Sequence, residues 1–262
     1  MNFETLEVTR DERGVARVVL NLPEKRNALS GQMIADLTRM AHTLGAEEET
    51  RAIVLSGAGK VFCAGGDLDW MKAQIEADRA TRMAEARKLA EMLCALNEMP
   101  TPLIGRIHGG AFGGGVGMAC VCDVAIAEAG TKFGLTETKL GLIPATIGPY
   151  VLARMGEGKA RRVFMSARLF GADEAQRLGI VARVAEPANL DAAVDEEVAP
   201  YLSVAPHAVG AAKALARSLG PRIDSDVIED TIRRLADTWE GEEARHGISS
   251  FLGKTLPRWS SR

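Results

Sequence analysis

The sequence predicts an α/β fold of stacked β-β-α-like units followed by a helical tail. Strand-length apolar runs alternate with helix-period segments over the first ~185 residues. Beyond Pro187 only helical periodicity remains. The chain of 262 residues is also long enough for one large core. A compact protein of this size buries roughly 73% of its extended surface without help from disulfides or metals. Residues 1–187 are therefore expected to form the core, and residues 188–262 a helical region that packs against another subunit.

Val15 to Leu22 (VARVVLNL) reads as a buried strand, and the following LPEKRNALS carries turn chemistry. Ser30 is a candidate N-cap for an amphipathic helix from about Gly31 to Leu44, with Met33, Ile34, Leu37, Met40, Ala41 and Leu44 on one face. Arg51 to Ser56 is a second strand, closed by the turn Gly57-Ala58-Gly59. One helix is expected from about Ile75 to Glu98, ended by Pro100 and Pro102. The stretch Asp69–Arg82 carries no composition that shapes a pocket and reads as mobile. Leu103 to Ile107 is extended, Val116 to Cys122 apolar-helical and Val124 to Ala127 strand-like again. The tail reads as helices near 188–200, 206–218, 223–239 and 241–252.

Composition excludes several classes. Lys plus Arg number 32 and Asp plus Glu 35, a net charge of −3, which argues against a general nucleic-acid binder. No basic and then apolar leader opens the sequence, and no run approaches the ~18 apolar residues of a membrane span. A cytoplasmic location is the expectation. Cys63, Cys94, Cys120 and Cys122 are too few and too irregular for a disulfide framework, and the four histidines are scattered, so no metal site is expected.

Three segments have the composition of a reactive site. In Phe62-Cys63-Ala64-Gly65-Gly66-Asp67-Leu68, paired glycines allow a tight backbone whose N–H groups face a ligand; an ordinary turn has the same composition. Six of the nine residues Gly109–Gly117 are glycine, just ahead of an uncharged helix. Free N–H groups at such a helix start suit an anionic oxygen, although close helix packing is the alternative. No G-x-G-x-x-G, Walker loop, G-x-S-x-G elbow or H-E-x-x-H is present. Glu137 stands among small and apolar residues in Phe133-Gly134-Leu135-Thr136-Glu137, where desolvation favours its neutral form, unless it lies on an exposed helix face. Two sets of N–H donors and one isolated carboxylate are what stabilising an enolate and moving one proton require.

In order and spacing, Pro23-Glu24-Lys25-Arg26-Asn27-Ala28-Leu29, Ala64-Gly65-Gly66-Asp67-Leu68, His108-Gly109, Gly113-Gly114-Gly115, Cys122-Asp123, Phe133-Gly134, Glu137, Leu142-Ile143-Pro144 and Phe251-Leu252-Gly253-Lys254 resemble the enoyl-CoA hydratase/isomerase (crotonase) superfamily. The likeness runs from about Val15 to Trp259. It implies a β-β-α spiral with a C-terminal helical trimerisation region, assembled as a trimer or a dimer of trimers. It also implies an acyl-CoA thioester as substrate, with coenzyme A belonging to that substrate and no separate cofactor. By position, the backbone N–H groups of Gly66 and Gly114 would form the oxyanion hole and Glu137 would move the proton. Ala64, Asp67 and Leu68 would line the adenine site, Lys25 or Arg26 would meet the CoA phosphates beside Ala28, and Lys254 would reach a neighbouring subunit's CoA.

One departure matters. Two-glutamate hydratases of the family carry a second acid at the position that here is Gly117, so that mechanism does not carry over intact. The stretch Leu142 to Tyr150 (LIPATIGPY) is most similar to bacterial hydratases of branched glutaconyl-CoA esters such as methylglutaconyl-CoA hydratase, with Arg106, Arg154 or Lys139 as partners for a distal carboxylate. Hydration of an enoyl-CoA is thus expected. The alternatives are Δ3,Δ2-isomerisation by the single glutamate, hydrolysis or decarboxylation on the same oxyanion hole, and a non-catalytic scaffold that binds CoA esters.

Overall fold

The computed structural model describes residues 2–260. It opens with β1 (Leu6–Arg10), a short edge strand absent from the sequence expectation, in which only Leu6 is fully buried. β2 (Val15–Leu20) stops short of Leu22, whose N–H is diverted to Asn27 Oδ1 at 3.0 Å. α1 (Gly31–Thr43) starts where expected, with the Ser30 hydroxyl accepting from Met33 N–H at 3.2 Å. β3 (Ala52–Gly57) is followed by two helices where one was expected, α2 (Leu68–Glu76) and α3 (Arg79–Glu98). The break falls at Ala77, which is extended, and Asp78, whose carboxylate caps Thr81 N–H at 2.8 Å. Asp69–Arg82 is therefore largely helical.

β4 (Leu103–Ile107), β5 (Gly110–Phe112), α4 (Gly114–Val121), β6 (Val124–Glu128) and β7 (Lys132–Gly134) follow. Next come α5 (Gly148–Met155), α6 (Glu157–Phe164), β8 (Leu169–Gly171), α7 (Ala172–Leu178) and β9 (Arg183–Ala185). The larger sheet has the order β1-β2-β3-β4-β6-β9 and the smaller β5-β7-β8. Past the antiparallel β1–β2 pair, the large sheet is wholly parallel, so each strand must return over a crossover. The crossovers repeat: β4 leads to β5 and α4, and β6 leads to β7 and α5. Two isolated bridges, Leu29 to Gly66 and Cys63 to Ala111, extend the same strand–strand–helix order to the earlier turns. The result is the expected β-β-α spiral.

The tail forms α8 (Leu190–Val198), α9 (Pro206–Leu219), α10 (Ser225–Glu240) and α11 (Glu242–Leu252). α8 covers one face of the large sheet, with Leu190, Ala193, Val194 and Val198 packed on Val15, Ala52, Val54, Ile104 and Ile126. Ile232 of α10 rests on Ala86 and Ala90 of α3. Trp239, Ala244 and Ile248 pack on Leu142. α9 buries no side chain, and Leu215 and Leu219 on it are exposed. Among the described residues, no helix is long and apolar enough to cross a membrane.

The loops after successive strands are laced by backbone hydrogen bonds into a staircase. Leu29 N–H donates to Gly65 O at 2.7 Å, and Asp67 N–H to Leu29 O at 3.3 Å. Cys63 N–H donates to Gly110 O at 3.1 Å, Phe112 N–H to Cys63 O at 3.0 Å, and Gly113 N–H to Gly134 O at 2.9 Å. Buried Asn27 fastens the first step: its Nδ2 donates to Ala58 O at 2.8 Å and to Val61 O at 2.9 Å. Replacing Asn27 by Ala removes these bonds and the one to Leu22 N–H. Each lost bond that strands a buried partner costs about 1 kcal/mol or more, so Asn27→Ala is expected to destabilise the fold by about 3 kcal/mol in urea unfolding. A change under 1 kcal/mol would show that the staircase does not depend on this side chain.

Candidate active site

The staircase determines where main-chain donors point. In the parallel bridge between Leu29 and Gly66, the bonds are made by Gly65 O and Asp67 N–H, so the N–H of Gly66 itself faces the other way. Gly114 is the first residue of α4, where an N–H has no acceptor within the helix. Among the described residues, neither N–H has an acceptor in the chain. The two loops abut: a Cβ on Gly65 would lie 2.8 Å from Phe112 O and 3.8 Å from Gly113 Cα. Gly65 (φ +92°) and Gly113 (φ +49°) both take left-handed backbone that a side chain would strain. Both Gly66 and Gly114 line one cavity of about 930 Å3.

Glu137 enters the same cavity from the short 3-10 turn Glu137–Leu140 that follows β7. Its Oε1 would be 3.0 Å from a Cβ on Gly113, so the carboxyl packs directly against the glycine loop. Its Oε2 is cut off from solvent and has no hydrogen-bond partner. Burial without a compensating cation pushes the carboxyl from an ordinary 4.5 up to about 7. Such a group holds and releases a proton near neutral pH.

The position one turn into α4 is closed. A Cβ on Gly117 would lie 2.5 Å from Ile147 Cγ2, so Ile147 fills the space that a second acid needs. This contact joins residues thirty positions apart, and no local pattern foretells it. The same holds for the bonds of Asn27 to Ala58 and Val61, which join it to a loop some thirty residues away.

Lys25, Arg26, Ala28, Ala64, Asp67 and Leu68 all line the cavity, together with the two glycines and Glu137; Lys254 does not. The Asp67 carboxylate caps α2, accepting from Asp69 N–H at 2.9 Å and Trp70 N–H at 3.0 Å, and it pairs with Lys25 at 3.5 Å. Ala64 N–H is taken by Arg26 O at 3.0 Å, which leaves only its carbonyl for a ligand. Of Lys139, Arg106 and Arg154, only Lys139 lines the cavity. Arg106 is paired with Asp191 at 2.6 Å, and Arg154 donates to the Cys120 and Cys122 carbonyls. Apolar walls come from Trp70, Leu89, Leu142, Leu235 and Trp239, with the Trp70 and Trp239 rings edge to face at 6.3 Å. Among the described residues, no cluster of His, Cys, Asp and Glu suits a metal ion.

Known proteins are similar to this chain over nearly its whole length. The family described as "Enoyl-CoA hydratase/isomerase" matches residues 10–262. Enoyl-CoA hydratase AFT6-1 of Alternaria alternata is 33% identical over 95% of this chain and 82% of its own. The crystal structure of an enoyl-CoA hydratase from Shewanella pealeana superposes with a TM-score of 0.81 at 36% identity, covering 98% of this chain and 97% of that one. One from Mycobacterium avium gives 0.85 at 29% identity, covering 99% and 100%.

The elevated Glu137 pKa has a consequence for stability. Its folded-state value lies above its unfolded value, so the fold holds this proton more tightly than the unfolded chain does. Stability is therefore lost as pH rises from 4.5 towards 7, by about 3 kcal/mol from this group alone. Glu137→Gln is expected to raise unfolding free energy by about that amount at pH 8 and to change it little at pH 4. An equal change at both pH values would show that Glu137 is not ionised in a dry site.

Proposed function

Because the chain belongs to the enoyl-CoA hydratase/isomerase family, we propose that it adds water across the α,β double bond of an acyl-CoA thioester, and removes it in reverse, using a single carboxylate. The observation that carries this reading is the unpartnered, solvent-excluded Glu137 Oε2 on the same cavity as the two free glycine amides. The thioester oxygen is held by the N–H groups of Gly66 and Gly114. Ionised Glu137 takes one proton from water as the water oxygen bonds to Cβ. The π electron pair moves onto the thioester oxygen as an enolate, and each N–H lowers the barrier there by about 3–4 kcal/mol. Glu137 then returns its proton to Cα as the enolate collapses. The reverse reaction begins with the same ionised carboxylate removing the Cα proton.

Isomerisation between Δ3 and Δ2 double bonds is the second reading, favoured by the closed position at Gly117, because shuttling a proton between carbons needs only one base. For the acyl group, we propose a short branched chain against the Trp70, Leu142 and Trp239 walls, of the branched glutaconyl type, with its distal carboxylate on Lys139. For assembly, we propose a trimer or a dimer of trimers, supported by the unburied face of α9 and measurable by light scattering. The contacts that would bring Lys254 to a neighbouring subunit's CoA belong to that assembly.

A panel of enoyl-CoA esters in 18O-labelled water tests the reaction. Loss of conjugated-thioester absorbance with label in the product is expected; unlabelled product would replace hydration by isomerisation. Glu137→Gln should lower kcat by roughly 10²–10⁴-fold. The kcat/KM should rise with pH through about 7 in both directions, since both start from the ionised form. Lys139→Met should raise KM for a branched glutaconyl-CoA and leave crotonyl-CoA unaffected. An equal effect on both substrates would remove Lys139 from substrate selection.

A further inference from the structure

We infer that Thr146 is the second group that holds the reacting water, in the place of the carboxylate that Ile147 excludes. This role rests on the hydration proposed above. A water attacked by one base alone is free to rotate, so aiming its lone pair at Cβ needs a second hydrogen bond. In this chain the usual means is closed, because Ile147 occupies the space beside Gly117.

The geometry points to the residue before it. Gly117 N–H closes the first turn of α4 on Gly113 O at 3.2 Å, so the two glycines lie one turn apart. Glu137 Oε1 rests against the first glycine and Ile147 against the second. The Glu137 carboxyl and the loop carrying Ile147 are thus neighbours along one helix, and Thr146 lines the same cavity. Thr136 and Thr146 are the only hydroxyl-bearing residues on its wall among the described residues. Thr136 is half-buried, so bulk water reaches it. Thr146 is only 6% exposed and lines the cavity, yet its hydroxyl oxygen is not among the solvent-excluded polar atoms, so water in the cavity reaches it. Of the other acids of the wall, Asp67 caps α2, Asp69 pairs with Lys25 and Lys72, and Glu24 is exposed to bulk water. In the reaction, Glu137 takes one hydrogen of the water as a proton. Thr146 Oγ1 accepts a hydrogen bond from the other, which stays on oxygen and becomes the product hydroxyl.

Three variants, Thr146→Val, Thr146→Ser and Glu137→Gln, test this with two readouts on the full chain. One is hydration of crotonyl-CoA; the other is exchange of the α-proton of butyryl-CoA in deuterated water, which uses the oxyanion hole and Glu137 but adds no water. Thr146→Val keeps the shape of the side chain and is expected to lower hydration kcat about tenfold, with KM within twofold and α-exchange unchanged. Thr146→Ser keeps the hydroxyl and should stay within about threefold of the parent. Glu137→Gln should lower both readouts by roughly 10²–10⁴-fold. Full hydration by Thr146→Val, equal loss of exchange and hydration, or a serine variant as slow as the valine variant would each overturn the role. A parent protein that exchanges the α-proton but hydrates no enoyl-CoA would overturn the hydration reading and this role with it.

Discussion

The site depends on backbone pairing between loops that are far apart in sequence. Leu29 meets the Gly65–Asp67 segment, Cys63 meets Gly110 and Phe112, and Gly113 meets Gly134, each through main-chain groups. A parallel bridge uses the groups on either side of a residue and leaves that residue's own N–H turned away. The orientation of Gly66 N–H is therefore a by-product of strand pairing and needs no side chain. Gly114 N–H is free for a different reason, because it begins a helix. Two unrelated rules of backbone hydrogen bonding supply two donors, and the staircase brings their loops into contact.

Side chains perform the opposite task, since they withhold compensation. No cation faces Glu137, and its Oε2 has no donor. A buried acid of this kind opposes folding, against a net stability of typically 5–15 kcal/mol for a domain. The surrounding structure offsets it with well-satisfied polar anchors elsewhere. Asp36 accepts from Glu4 N–H, Thr5 N–H and the Thr5 hydroxyl, and Asn27 is bonded through both ends of its amide. The polar atoms of Asp36 and Asn27 are thus paired where they join loops, whereas Glu137 Oε2 is left unpaired where a reaction is proposed.

Local rules made much of this legible. Ser30 as a cap, the apolar stripe of α1, the glycine run ahead of α4 and the four tail helices follow from spacing and capping alone. What was hidden has identifiable causes. β5, β7, β8 and β9 span three residues each, too few for alternation to register. The α2–α3 break rests on one extended residue, Ala77, in an otherwise helical run. The placements of Arg106 and Arg154 depend on Asp191 and on the carbonyls ending α4, partners that are distant in the chain. Periodicity reports which face of an element is buried, and not which cation will lie across the pocket.

The contact between Gly117 and Ile147 also couples two positions that are far apart in the chain. Adding an acid at 117 while Ile147 stands forces overlap, and shrinking Ile147 while 117 is glycine opens a void. The two side chains share one space, so substitutions at 117 and 147 are expected to be non-additive. The chemistry of the pocket is thereby tied to a matched pair: a carboxylate at 117 calls for a smaller neighbour at 147.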